Sequence, residues 1–273
     1  DRRALPVRGA GRRDLVRPAR RQCDVHPVSV SPRGRRLDPG SHRRSIRDLS
    51  VSPRTVPRVT ELTDLLETRT AYDTVAVSYA GLLRDELARR PMDRAVLGVF
   101  AEQVLAGGGG PVADLGCGPG RITTHLAALG LDAFGVDLSP GMVEVARRDH
   151  PHLRFVVGAI HALDLPDGGL AGALAWYSVI HTPPERLPAV FAEFARVLRP
   201  GAPLLMAFQV GAEVVHLQQG YGHQMSLHAW RRDPDAVAEL LGTAGFEVRA
   251  RVLREPEPPM EKARQAYLLA TRK

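Results

Sequence analysis

Apolar residues along this chain fall into two patterns: short continuous runs, and longer stretches in which they recur three and four positions apart. The first pattern predicts buried strands and the second predicts helices with one apolar face. Residues 61–90 carry Leu62, Leu65 and Leu66, then Val75, Tyr79, Leu82 and Leu83, and Pro91 breaks that helical run. A second helix is expected over 93–106, with Val96, Val99, Phe100 and Val104 on one side, before Gly107 to Gly110 release the chain. An apolar strand then enters a glycine-rich turn, and Ile122, Leu126 and Leu129 begin the next helix.

Further strand–helix units follow. Leu131 to Val136 predicts a second strand ending in Asp137, after which Ser139 caps a helix, Pro140 fits its first turn, and Met142, Val145 and Ala146 face inward. Strands are expected at Leu153 to Val157, Leu170 to Trp176 and Pro203 to Gln209. Between the last two, Pro183 and Pro184 open a helix carrying Leu187, Val190, Phe191, Phe194 and Leu198. Residues 210–230 are polar and read as a lid or insert. Asp233 and Pro234 cap a last helix to Ala244, and strands at 246–253 and 265–271 close the chain without a helix between them. Alternation of this kind predicts an α/β, doubly wound, mostly parallel seven-stranded sheet with an antiparallel edge hairpin, covered on both faces.

The chemistry-bearing residues sit where such a sheet binds ligands, beyond the C-terminal ends of its strands. Asp114 lies inside the end of the first strand, and Gly116, Gly118 and Gly120 follow it as G-x-G-x-G. Glycine is needed there because a Cβ would keep a ligand away from the backbone amides. Asp137, at the tip of the second strand, is placed to accept from both hydroxyls of a ribose. Gly158 to His161 and Tyr177 to His181 end the third and fourth strands, so four tips are expected to converge on one crevice.

The run Asp114-Leu115-Gly116-Cys117-Gly118-Pro119-Gly120, with Gly135-Val136-Asp137-Leu138-Ser139-Pro140-Gly141-Met142 after it, resembles the class I S-adenosylmethionine-dependent methyltransferases. The similarity runs from about Tyr72 to the C-terminus and implies a Rossmann-like methyltransferase fold over 61–273 with S-adenosyl-L-methionine as cofactor. By that resemblance the turn Gly116, Cys117, Gly118 and Gly120 contacts the methionine moiety, with Asp114 behind it. Asp137 and Leu138 take the ribose, and Ala159, Ile160 and His161 take the adenine. Many members carry an acid where Ala159 stands, so adenine recognition here is expected from backbone amides, apolar contact or Asp164. The segment Tyr72 to Tyr79 resembles the piece that closes over the cofactor. Tyr72 is the first choice, ahead of Tyr79, Trp176 and Tyr177, for an aromatic face beside the sulfonium cation. His181 is the candidate general base, and His216, Tyr221 and His223 are candidates for the same pocket.

Charge changes the picture once it is divided. Residues 1–60 hold 16 Arg and 5 Asp with no Lys, Glu or aromatic residue, whereas the remainder holds 21 basic and 25 acidic residues. The whole net charge of +7 therefore belongs to the first segment, which is expected to be a disordered Arg- and Pro-rich extension without function. No apolar run approaches a membrane span, and Cys23 and Cys117 make no disulfide framework, so a cytoplasmic protein is the default expectation. No His or Cys pair has ligand spacing on one element, and no metal is expected. The acceptor is expected to be a small molecule. A nucleic-acid methyltransferase anchored by the basic segment would be expected to end the fourth strand in Asn or Asp before Pro-Pro-Tyr, where this chain has Trp176-Tyr177-Ser178. An NAD(P)-dependent oxidoreductase is the other alternative, and the G-x-G-x-G spacing, Asp114 and the missing dedicated substrate domain count against it. A non-catalytic cofactor-binding subunit remains open on sequence alone.

Overall fold

The computed structural model describes residues 59–258 and 261–273, and the expectation for 1–60 lies almost wholly outside them. Nine strands are present among the described residues: β1 (Pro111–Leu115), β2 (Asp132–Asp137), β3 (Arg154–Val157), β4 (Gly172–Trp176), β5 (Pro203–Gln209), β6 (Val214–Gly220), β7 (His223–Trp230), β8 (Phe246–Arg254) and β9 (Gln265–Arg272). Seven of them form one sheet in the order β3-β2-β1-β4-β5-β9-β8. β1 pairs parallel with β2 and β4, β2 with β3, and β4 with β5, whereas β9 runs antiparallel to both β5 and β8. The expected sheet and its antiparallel edge hairpin are thus observed. The strand order reverses between β1 and β4, and the switch point of such a sheet is where a crevice opens.

Among the described residues six α-helices accompany the strands: α1 (Val59–Leu83), α2 (Pro91–Ala106), α3 (Arg121–Ala128), α4 (Pro140–Asp149), α5 (Leu187–Val197) and α6 (Pro234–Thr243). Alternate residues of the central strands feed two cores. Leu204, Met206 and Phe208 of β5 join Phe191, Phe194, Val237 and Leu241 from α5 and α6 on one face. Leu205 and Ala207 join Leu97, Phe100, Val104, Ile122 and Leu126 from α2 and α3 on the other. Because both faces are covered, β4 is buried along its whole length instead of alternating with polar residues.

Several details depart from expectation. Val99 of α2 is 50% exposed, and the buried stripe is Leu97, Phe100, Ala101 and Val104, the i, i+3, i+4, i+7 face. Pro91 starts α2 instead of only ending the preceding helix, as suits a residue with no N–H to donate. Pro184 opens a short 3₁₀ turn to Arg186, and α5 itself begins at Leu187 with Pro188 in its first turn. Residues 210–230 form a separate antiparallel hairpin, β6–β7, joined through Tyr221 and Gly222, both at positive φ as a two-residue turn requires. Its strand β7 packs on α1 and on the 3₁₀ turn Val179–His181.

Helix α1 roofs the C-terminal side of the sheet by resting on α4. Val75 and Ala76 pack with Met142 and Val145. Asp73 adds a polar tie, accepting from Ser139 Oγ at 2.6 Å and from the Gly141 N–H at 2.8 Å. A carboxylate at a helix N-terminus meets both unsatisfied amides and the positive end of the dipole. No described helix is long and apolar enough to cross a membrane. Asp73→Ala should lower stability by roughly 0.5–2 kcal/mol, the usual cost of losing a helix cap. Urea unfolding checks it, and an unchanged midpoint would show that α1 is held by its apolar face alone.

Candidate functional site

A cleft opens beyond the C-terminal ends of β1, β2, β3 and β4. Gly116, Asp137, Leu138 and the segment Ala159 to His161 form its floor and one side. Tyr177, Ser178 and His181 form the side beyond β4, and Leu65, Thr68 and Tyr72 of α1 cover it. The four strand tips expected to converge therefore do so. Of the residues singled out from sequence, Tyr72, Gly116, Asp137, Leu138, Ala159, Ile160, His161, Tyr177 and His181 line the cleft. Asp114, Cys117, Gly118 and Gly120 are not among its lining residues.

Asp137 is held from both sides by backbone amides. Its Oδ2 accepts from the Gly118 N–H at 2.7 Å and its Oδ1 from the Ser139 N–H at 2.9 Å. Each carboxylate oxygen has a second acceptor site, so these bonds orient the group without using it up. Burial pushes its carboxyl up to about 6, and the amide hydrogen bonds work in the opposite direction. Ser139 in turn caps α4 by accepting from the Met142 N–H at 3.0 Å, as its place in the sequence predicted.

The glycine turn lies close against β2. The Gly116 and Cys117 N–H groups both donate to the Val136 carbonyl, at 2.7 and 3.0 Å. Gly116 has φ +82°, and a Cβ built there would stand 2.3 Å from Ser178 Cβ, so no other residue fits between the tips of β1 and β4. Cys117 is a packing residue, buried with Val143, Ala146 and Phe155. Asp114 is 1% exposed, and its Oδ2 accepts from Thr123 Oγ1 at 2.7 Å while Oδ1 has no partner. This bond ties the end of β1 to the first turn of α3.

On the opposite side Tyr72 Oη lies 2.6 Å from His181 Nε2, and His181 Nδ1 lies 2.8 Å from the His228 carbonyl oxygen. Arg232, only 5% exposed, donates to the Val179 and Thr182 carbonyls and so braces the 3₁₀ turn that carries His181. Burial, with the Arg232 charge as a smaller cause, lowers His181 to about 4 despite the hydrogen bond to His228, so the ring is neutral. Tyr177 sits at the tip of β4 with φ +54°, a strained conformation for an aromatic residue. Trp176 belongs to the core and packs on Tyr267 and Tyr177, and Asp164 is exposed outside the cleft wall. His216 stacks on His228, His223 meets Ser78 Oγ at 2.8 Å and Tyr221 packs edge-on to Tyr79, so the expectation that these three line the cleft is not met.

Residues 112–201 match a protein family described as methyltransferase domain. An uncharacterised methyltransferase of Mycobacterium tuberculosis is 33% identical over 150 residues, 54% of this chain and 52% of its own length. A demethylmenaquinone methyltransferase of Beutenbergia cavernae is 32% identical over 136 residues, 50% of this chain and 55% of its own. The solved structure of 1,6-didemethyltoxoflavin-N1-methyltransferase from Burkholderia thailandensis, with 1,6-didemethyltoxoflavin and S-adenosylhomocysteine bound, shares the fold. Its TM-score is 0.59 at 21% identity, covering 82% of this chain and 94% of that one. Residues 112–201 are thus a methyltransferase domain, set in a sheet with the fold of that solved methyltransferase. The chain spans about half the length of the curated relatives it matches.

For a methyltransferase domain, the cleft has a second half that the sequence reading missed. Asp64, Leu65 and Thr68 on α1 face Thr182, Pro183, Arg186 and Val190 across it, and an Arg186–Asp64 ion pair bridges the two sides. Leu65, Thr68 and Tyr72 share one helix face by their i, i+3, i+7 spacing, a signal available in the sequence. Arg186 follows a Pro-Pro pair that sequence assigned only to a helix start, and nothing there pointed to the cleft. Among the described residues no group of His, Cys, Asp and Glu is arranged to hold a metal ion.

Burial pushes Asp114 up to about 7, with the nearby Asp137 charge adding to the rise and Thr123 opposing it. A carboxyl raised in the folded state gives stability present below its unfolded value, near 3.8, and lost as pH rises through about 7. Asp114→Asn keeps the shape and the acceptor for Thr123 but carries no charge. It should raise the stability of the ligand-free protein at pH near 8 by roughly 2–4 kcal/mol, each pKa unit being worth about 1.4. Below about pH 4 the two proteins should melt alike, because both then carry a neutral side chain. Equal melting temperatures at high pH would contradict a buried charge at Asp114.

Proposed function

We propose that this chain binds S-adenosylmethionine in the cleft and transfers its methyl group to a small-molecule acceptor by in-line displacement. The observation that carries this reading is Asp137, fixed at the tip of β2 by the Gly118 and Ser139 amides and facing a cleft bordered by the glycine turn. An oriented carboxylate with free acceptor capacity fits the paired hydroxyls of a ribose. The unpartnered, buried Oδ1 of Asp114, behind the same turn, fits a nearby cationic amino group reached through water. The relatives' names, demethylmenaquinone methyltransferase and 1,6-didemethyltoxoflavin-N1-methyltransferase, support a small-molecule acceptor.

The cofactor supplies a methyl group already activated on a sulfonium. Displacement at such a carbon needs alignment and exclusion of water more than acid or base strength. Leu138, Ala159 and Ile160 offer apolar surface for the adenine, while His161 and the backbone around it supply polar edges. Ala159 and Ala162 form an isolated bridge that shapes this segment into a tight turn. Tyr72, on the roof, brings an aromatic ring to the cleft for the sulfonium cation and, with Leu65, excludes water. His181, Thr182 and Val190 border the space left for the acceptor.

Calorimetry with S-adenosylhomocysteine should show binding, and NADH should show none. Asp137→Asn should weaken that binding by roughly 1–3 kcal/mol, the worth of charge-assisted hydrogen bonds. Affinity in the parent protein should fall as pH drops through about 6, where Asp137 takes up a proton, and the asparagine variant should lose this dependence. Tight NADH binding without S-adenosylhomocysteine binding would overturn the reading. Incubation with methyl-labelled cofactor and small acceptors, followed by mass analysis, identifies the product.

A further inference from the structure

Tyr72 and His181 come from elements 109 residues apart in sequence, α1 and the turn after β4, and their hydrogen bond is among the shortest polar contacts in the cleft. Its direction follows from the third partner. The His228 carbonyl can only accept, so His181 Nδ1 carries the ring hydrogen and Nε2 presents its lone pair. The Tyr72 hydroxyl therefore donates to Nε2. Its oxygen keeps its own lone pairs for a donor in the cleft, which Tyr72 lines. An acceptor molecule cannot use Nε2 directly while Tyr72 occupies it.

We infer that Tyr72 and His181 form a proton-accepting pair for a nucleophile that brings its own proton, an O–H or N–H group of the acceptor. The inference rests on the methyl-transfer reading above and adds to it the class of atom methylated. As the acceptor's oxygen or nitrogen forms its bond to the methyl carbon, the carbon–sulfur bond breaks and its electron pair stays on sulfur. The acceptor's proton passes to Tyr72 Oη, and the Tyr72 hydroxyl proton passes to His181 Nε2. The positive charge thus leaves the sulfonium as it arrives on the imidazole, and the cleft's total charge does not change. The proton returns to solvent after the product departs.

Two features suit the pair to this task. The phenol is held well above its ordinary range by burial, with Tyr79, Tyr221 and Asp137 adding to the rise, so it stays protonated and relays instead of ionising. The imidazole is neutral and rigidly braced, by the His228 carbonyl on Nδ1 and by Arg232 beneath its turn. Tyr72 is then the residue that touches the acceptor, and His181 acts through it.

The test uses the full chain with methyl-labelled S-adenosylmethionine and a panel of phenols, naphthols and primary amines, read by mass analysis. The parent protein should methylate members of the panel with a solvent deuterium isotope effect on kcat. Tyr72→Phe and His181→Gln should each lower kcat by roughly 10²–10⁴-fold with S-adenosylhomocysteine affinity kept, and the double variant should be no worse than the poorer single one. Glutamine offers a carbonyl to the Tyr72 hydroxyl but takes no proton. A near-normal kcat for His181→Gln would reduce His181 to holding Tyr72 in place and overturn the inference. A panel left wholly unmethylated by a protein that binds S-adenosylhomocysteine would overturn the O–H or N–H class, whereas failure to bind S-adenosylhomocysteine would overturn methyl transfer itself. Should the variants misfold, ¹⁵N resonances of His181 in the parent complex decide the geometry. A bare, hydrogen-bonded Nε2 at neutral pH supports the pair, and a protonated Nε2 contradicts it.

Discussion

Everything at the site is referred to the carboxylate of Asp137 and the two amides that hold it. The Gly118 bond ties the glycine turn to the tip of β2, and the Ser139 bond ties the same carboxylate to the start of α4. Asp73 then extends the tie to α1 through Ser139 Oγ and the Gly141 amide. One polar chain thus runs from the turn after β1, across β2, into the roof of the cleft. It explains why the roof helix sits where Tyr72 reaches His181, since α1 is held at α4 by both Asp73 and the Val75–Met142 packing.

Burial of this chain has an electrostatic consequence. Burial raises both Asp114 and Asp137, with the Asp137 charge adding to the rise at Asp114 and the Asp73 charge to that at Asp137, so negative charge in the ligand-free site is costly. A cation entering the cleft offsets that cost, and on the methyl-transfer reading the sulfonium and amino groups of the cofactor are such cations. Residues that make the empty site costly are thereby residues that favour its ligand.

Much of this was legible in the sequence because backbone constraints write themselves into residue type. The G-x-G-x-G turn is there because Gly116 stands against Ser178 and Gly120 against Phe155, both at positive φ. The Ser139-Pro140 cap and the acid at Asp137 were readable for the same reason, as local rules with few alternatives. What stayed hidden depends on contacts distant in sequence. The face of α2 was misjudged because Val99 is apolar yet turns outward, which only the packing of Leu97 and Phe100 decides. The hairpin β6–β7 read as a polar insert because its outer face is His- and Gln-rich, while only Leu227 and Ala229 are fully buried. Arg186 and Asp64 meet across the cleft from positions 122 residues apart, and no local pattern announces such a pair.

A crystal structure of the protein with S-adenosylhomocysteine tests the central claim most directly. The ribose hydroxyls should lie within hydrogen-bonding distance of the Asp137 carboxylate, with the Gly118 and Ser139 amides still bonded to it and the sulfur beneath Tyr72. A ligand bound elsewhere, or an Asp137 side chain turned away from the ribose, would contradict the claim that this carboxylate is the fixed point of the site.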